Sequence, residues 1–230
     1  AAQRHLGPGL TGFEIMNGFS LALVARHFPQ LHQPLSAGPW TVLVELSDNE
    51  SVEHARARFE GLLAAALEAG TVSDAAVAES VAQSRAMWHL RESIPLAQSE
   101  EGLNIKHDIS LPVSQIDRFC AATGAALEAR WPGVRLVNFG HLGDGNLHYN
   151  VQAPPGVDAA GFLRDQEHAI NDVVYDAVVA LGGSISAEHG IGVLKRAELA
   201  RRKDPTALAM MRAVKHALDP HALLNPGRVL

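Results

Sequence analysis

Two histidines flanking a glycine-rich turn are the strongest chemical signal in the chain. In HLGDGNLH (141–148), Asp144-Gly145 is a two-residue hairpin signal, because a type I′ turn needs positive φ at both central positions. A turn centred there sets Gly143 opposite Asn146, Leu142 opposite Leu147 and His141 opposite His148. Directly opposed residues share a face, with Cβ atoms roughly 4.5–5.5 Å apart. Two imidazoles so placed can grip one divalent cation through nitrogens at about 2.0–2.1 Å. This register requires a tight turn. A catalytic site of the zinc kind takes three protein ligands and leaves one position open. The third candidate is Glu188 in SISAEHGIG, where a short apolar stretch ends at an acid and a histidine ahead of Gly190 and Gly192. Two histidines and a carboxylate suit Zn, Mn, Fe or Co. His189 carries an imidazole, the side chain suited to proton transfer, and is a candidate general base. The plainer alternatives are a hairpin with solvated histidines and, for EHGIG, a loop or helix C-cap.

These two segments need a frame. Residues 10–28 set Phe13, Met16, Phe19, Leu23 and Val24 near one helical face, a helix weakened by Gly12 and Gly18. WTVLVEL (40–46) reads as a buried strand. Ser51 is a cap for a helix from Val52 to about Glu68. Residues 71–77 are ambiguous between strand and helix. Residues 79–94 predict a helix disturbed at Pro95, and 96–104 an irregular loop. IKHDISL (105–111) alternates as a strand, and Pro112 opens a helix to about Ala129. Strands over 134–139 and 148–152 flank the histidine turn. A long helix over 159–181 stops at Gly182-Gly183, 184–187 is extended, and 206–217 is helical. Hairpin links rather than crossovers predict an α+β fold with helices packed on an antiparallel β-sheet. No G-x-G-x-x-G follows an early strand, so a nucleotide-binding βαβ unit is not visible.

Composition excludes several classes. The 230 residues are 47% hydrophobic and 19% charged, an ordinary globular balance. With 25 acidic against 19 basic residues the formal charge is −6, which argues against nucleic acid as the partner. Cys120 is the single cysteine and cannot form an internal disulfide, which fits a reducing, cytoplasmic setting. No apolar run reaches membrane-spanning length, and the first residues do not read as a signal peptide.

HLGDGNLHYN (141–150), SAEHGIGVLKR (186–196) and LNPGR (224–228) resemble the C-terminal domain of FAD-linked D-2-hydroxy acid dehydrogenases. That family includes D-lactate and D-2-hydroxyglutarate dehydrogenases and the flavoprotein subunit of glycolate oxidase. FEIMNGFSLALV (13–24), WHLRESI (88–94) and IKHDISLPVSQI (105–116) resemble further family segments in the same order, so the likeness covers nearly the whole chain. It implies a ferredoxin-like cap domain over 1–230, with roughly 197–230 as a helical tail that packs on the FAD domain. It also implies roles. His141, His148 and Glu188 would bind a divalent metal, often zinc, and His189 would be the base. Arg91 and Lys106 would hold the carboxylate of a small 2-hydroxy acid, Asn150 would lie near the substrate, and Asn225 would reach the flavin.

Two positions depart from the family pattern. His107 stands where some members carry an aromatic residue, and Pro95 where the hydroxyglutarate type carries a hydroxyl, which bears on the choice of acid. Nothing in the chain resembles the N-terminal FAD-binding domain. The expectation is therefore a fragment whose partner is its own FAD domain, with apolar surface that could also drive homodimerisation. The competing readings are a non-catalytic binding module that keeps the fold, and a metal-dependent hydrolase.

Overall fold

Alternating side chains build a six-stranded sheet in which every pairing is antiparallel. The computed structural model describes residues 2–230. In chain order the elements are α1 (Ala2–Leu6), β1 (Leu10–Asn17), α2 (Gly18–His27), β2 (Trp40–Leu46) and α3 (Val52–Glu68). Next come α4 (Val81–Glu92), α5 (Ile94–Glu101), β3 (Asn104–Ile105), β4 (Asp108–Ser110) and α6 (Ile116–Arg130). The rest are β5 (Arg135–His141), β6 (Asn146–Gln152), α7 (Ala159–Ala180), α8 (Arg196–Arg202) and α9 (Pro205–Leu218). The strand order is β2-β1-β5-β6-β3, with β4 also pairing β6.

Strand periodicity divides the core into two layers. On one face Ile105, Ile109, Leu147, Tyr149 and Val151 pack against Phe119 and Leu127 of α6 and Ile170, Val174 and Val178 of α7. On the other, Met16, Val137 and Phe139 meet Leu23 and Val24 of α2, Leu90 of α4, and Ile94 and Ala97 of α5. Fully burying one such aliphatic side chain contributes about 1.5–3 kcal/mol. The second face also carries a polar stripe, in which Glu14, Asp108 and Asn150 are buried and His141 and His148 are half-buried.

Several expectations are corrected here. The stretch 10–28 is not one helix: Leu10–Asn17 is a strand whose inward residues alternate as Gly12, Glu14 and Met16. The helix begins only after Asn17, whose side chain accepts from Ser20 N–H. β2 is an edge strand rather than a buried one, and leaves Trp40 and Val42 exposed, because only β1 pairs with it. The expected loop over 96–104 is largely α5, since Pro95 occupies a first helical turn, where its missing N–H is not needed. Residues 71–77 form neither strand nor helix.

The histidine turn is longer than expected. His141 pairs with Asn146, and His148 pairs with Phe139. Gly145 has φ +83° while Asp144 does not enter the positive region, so the type I′ condition fails. Asp144 instead accepts from Asn146 N–H at 3.0 Å, and Gly145 N–H reaches His141 O at 3.1 Å. The register differs by two residues, and a shift of two keeps every side chain on its face. His141 and His148 therefore remain neighbours, now diagonal, with ring centroids 5.9 Å apart.

Candidate functional site

The sheet brings the two histidines to the segment after α7. That segment is tied down by the bridge between Ser110 and Ser184, with N–H···O distances of 3.0 and 2.8 Å in the two directions. Glu188 then lies between both imidazoles: Oε1 is 3.3 Å from His141 Nε2, and Oε2 is 3.8 Å from His148 Nε2. The exposed His189 ring lies nearly parallel to that of His148, at 25° and 5.9 Å between centroids. The donor atoms of Asp108, His148, Glu188 and His189 lie within 4.8 Å of one another. His141 joins this group through Glu188. Burial, reinforced by the Arg91 charge, pushes the His148 imidazolium down to about 4, so this ring is neutral at pH 7. A neutral imidazole is the form that ligates metals.

A cleft of about 580 Å³ opens beside the cluster, lined by Glu14, His141, Glu188, Trp88 and Thr11 among others. Trp88 is fixed by donating its indole N–H to Glu45 at 2.7 Å.

The remaining expected residues lie at varied distances from this centre. Arg91 is buried under it, with Nε 3.0 Å and Nη2 2.8 Å from Glu14 Oε2 and its guanidinium 4.8 Å over the Phe139 ring. Nη1 falls outside that ion pair. Desolvation lowers the Arg91 pKa, opposed by Glu14. Lys106 is exposed between β3 and β4. The pairs Ile105↔Val151 and Asp108↔His148 keep one register, which sets Lys106 across from Asn150. Asn150 is on the same face as His148, but its side chain is engaged: Nδ2 donates to Gln98 Oε1 at 2.9 Å and Oδ1 accepts from His107 N–H at 3.1 Å. Asn225 stands apart on the exposed tail, in left-handed backbone at φ 47°. The chain beyond it returns to the site loop, where Val229 N–H reaches Gly192 O at 2.8 Å.

Two carboxylates escaped the sequence reading. Glu14 bridges Arg91 and His141, with Oε1 2.8 Å from His141 Nδ1. Its signal is a lone acid in an apolar run, which a period-2 reading of 10–17 places inward beside Met16. Asp108 is 2% exposed. The alternation in IKHDISL puts it on the polar side with Lys106, but gives no hint that this side is covered. A second acid–histidine group, His168, Asp172 and Glu198, is filled by Arg201 and Arg202, which pair with both carboxylates. That group is an ion-pair network.

The family model described as "FAD linked oxidases, C-terminal domain" matches residues 1–229. The mitochondrial D-2-hydroxyglutarate dehydrogenase of Arabidopsis thaliana is 35% identical over 230 residues, covering 100% of this chain and 39% of that protein. The D-2-hydroxyglutarate dehydrogenase of Xanthomonas citri pv. viticola is 36% identical over 227 residues, covering 96% of this chain and 46% of that protein. The mitochondrial enzyme of the same name from Rattus norvegicus is 36% identical over 226 residues, covering 98% and 40%. This chain thus spans less than half the length of these curated relatives. Two of the three are named as mitochondrial, which lends the cytoplasmic expectation no support. Among the described residues no helix is long and apolar enough to cross a membrane. The crystal structure of p-cresol methylhydroxylase with substrate bound matches with a TM-score of 0.55 at 15% identity, covering 95% of this chain and 46% of that one. That likeness shows the fold alone.

Proposed function

Because the chain belongs to the family of FAD-linked oxidase C-terminal domains, we propose that it is the substrate-side part of a longer flavoenzyme that oxidises a D-2-hydroxy acid to the 2-oxo acid. The observation that carries this reading is the convergence of His141, His148, Glu188 and His189, from two segments distant in sequence, with His141 and Glu188 lining an open cleft. The names of the similar proteins favour a D-2-hydroxyglutarate-type acid, with D-lactate and glycolate as the other members of the class.

The donor set fits a divalent cation. Glu14 takes the Nδ1 side of His141, which turns Nε2 toward Glu188. His148 is neutral, and Asp108 Oδ1 is buried beside the cluster without a protein partner. His141, His148 and Glu188 would hold the cation, zinc being one that suits them. Every strand pairing is antiparallel, so the described residues contain no parallel βαβ unit for a dinucleotide. FAD would be held mainly by the rest of the protein, to which this chain would offer Asn225. When bound, the cation supplies positive charge at the substrate's hydroxyl oxygen, and the flavin supplies the acceptor for the α-hydride.

The chain's own residues have distinct tasks in this scheme. His189 takes the hydroxyl proton on an imidazole nitrogen, as its exposed ring beside His148 allows. The Lys106 ammonium attracts the substrate carboxylate, and Arg91, held by Glu14, adds positive charge from below. Asn150 is held rigid by Gln98 and His107 and fixes the floor. The outward side of α9, with Met210, Val214 and Leu218 exposed, and the tail residues Leu223 and Leu224 give an apolar surface suited to the flavin-binding part.

The test uses the native protein with D-2-hydroxyglutarate, D-lactate and glycolate, each with a dye acceptor. His189→Asn is expected to lower kcat by about 10²–10⁴-fold while metal and flavin contents stay at wild-type levels. His148→Ala is expected to lose the metal. A native protein that holds flavin and metal but oxidises none of these acids overturns the reading.

A further inference from the structure

We propose that Asp108 is a positioning residue of this site, holding Glu188 and His189 through the backbone of the turn that carries them. The inference rests on the metal-assisted reading above. Asp108 is 2% exposed and lies directly across the sheet from His148. Its Oδ2 accepts three successive backbone N–H groups, from Ala187 at 3.1 Å, Glu188 at 2.9 Å and His189 at 2.8 Å. Consecutive amides converging on one anion form a nest, and here the anion is the protein's own carboxylate. Among the described residues, these three amides have no other acceptor. Hydrogen bonds to an ionised oxygen are roughly twice as strong as neutral ones, so a single side chain fixes the turn.

Its neighbours serve the same end. Lys195 is drawn under the segment and donates to Ile185 O at 2.9 Å and to Asp108 O at 3.4 Å, bridging the loop to β4. The residues that Asp108 holds, Ala187 to His189, are themselves exposed, and Gly190 follows with φ +75°. Among the described residues, the carboxylate is the acceptor that these three amides share. The second carboxylate oxygen, Oδ1, is buried with no protein partner, and Asp108 belongs to the group of donors that includes both His148 and His189. It adds negative charge beside two imidazoles that the reading uses as ligand and base. Asp108 thus couples the place of the carboxylate ligand and the place of the base to the strand that carries His148.

Asp108→Ala and Asp108→Asn in the native protein test this, with Glu188→Gln as the control for the metal reading. Three quantities are read: amide hydrogen exchange of the peptide covering 187–189, zinc affinity by chelator competition, and kcat. Asp108→Ala is expected to speed exchange of the three amides at least tenfold and to weaken zinc binding about 10–100-fold. Asp108→Asn, which keeps a neutral acceptor, should fall between it and the wild type. Unchanged exchange overturns the inference, as does faster exchange with zinc affinity and kcat both unaltered. If the wild type binds no zinc, or Glu188→Gln binds it equally well, the metal reading fails by itself. Asp108 is then judged on turnover: a lower kcat with faster exchange sustains its role through His189, and an unaltered kcat refutes it. A wild-type protein with neither zinc binding nor turnover overturns both.

Discussion

Glu14→Gln tests how a second buried carboxylate governs the same site. Glu14 is 4% exposed and serves two groups at once, Arg91 through Oε2 and His141 through Oε1. An ionised carboxylate only accepts, so the facing Nδ1 of His141 must carry the proton and Nε2 keeps its lone pair toward Glu188. Glutamine has the same shape but one acceptor and one donor. Arg91, which only donates, claims the amide oxygen. The amide nitrogen then faces Nδ1, which must accept, and the imidazole proton moves to Nε2. That nitrogen can no longer ligate, and loss of such an outer partner weakens metal binding about 10–100-fold. The substitution also leaves the Arg91 guanidinium, 6% exposed, without its counter-ion. Removing one partner of a buried pair destabilises by about 3–5 kcal/mol, and the retained amide bond brings this toward about 3 kcal/mol. Urea unfolding and zinc competition on the native protein measure both effects. The double variant Glu14→Gln/Arg91→Met tests the cause of both: most of the stability returns, because no unpaired charge remains, and zinc affinity recovers in part, because the amide is free to turn its oxygen to Nδ1. A Glu14→Gln protein with wild-type stability and zinc affinity would refute the reasoning on both counts.

Two further perturbations probe the frame. His107 is fully buried, with Nδ1 2.8 Å from Tyr149 O and Nε2 2.8 Å from Asn171 Oδ1, and burial pushes its pKa down to about 4. The unfolded chain binds this proton near pH 6.5 and the native one does not, so stability falls as pH drops from about 6.5 toward 4, by up to about 3 kcal/mol. His148, also held at about 4 by burial, adds to the slope, so His107→Gln should flatten the urea midpoint against pH only in part; an unaltered slope would count against burial as the cause. Gly145 has φ +83°, and a Cβ there would clash with Leu111 O. Gly145→Ala should destabilise by at least about 2 kcal/mol and lower zinc affinity, because the turn holding His141 must shift; a melting temperature within a degree of wild type would contradict this.

Local chemistry wrote some of this structure plainly. Ser51, the Pro112 break and the Gly182 stop gave α3, α6 and α7 close to their observed bounds, because each end is set by a residue within a turn of it. β1 was illegible as a strand, since Phe13, Met16, Phe19, Leu23 and Val24 also fit a helical face across the real break at Asn17. What decides that segment is pairing with β2 and β5, which lie distant in sequence. The candidate site divides in the same way. His141, His148, Glu188 and His189 stood out because their types carry chemistry on their own. The turn between the histidines is two residues longer than its sequence signal implies, and their proximity survives because strand periodicity is two.

Glu14 and Asp108 were invisible for a reason that also explains their role. Neither belongs to the two segments with chemical signal; each comes from a strand beside them, β1 next to β5 and β4 next to β6. A carboxylate in such a place has no local signature, because its partners are a ring or a run of amides in another part of the chain. Burial works against the charged form of Asp108, yet the three N–H groups and the nearby His189 hold its carboxyl below the usual range. Glu14 is matched in turn by Arg91. Both are buried carboxylates whose bonds fix a functional neighbour, His141 in one case and the 187–189 turn in the other. The loss of either charge is therefore felt first in the orientation of the metal-binding and proton-accepting groups, even where the sheet itself survives.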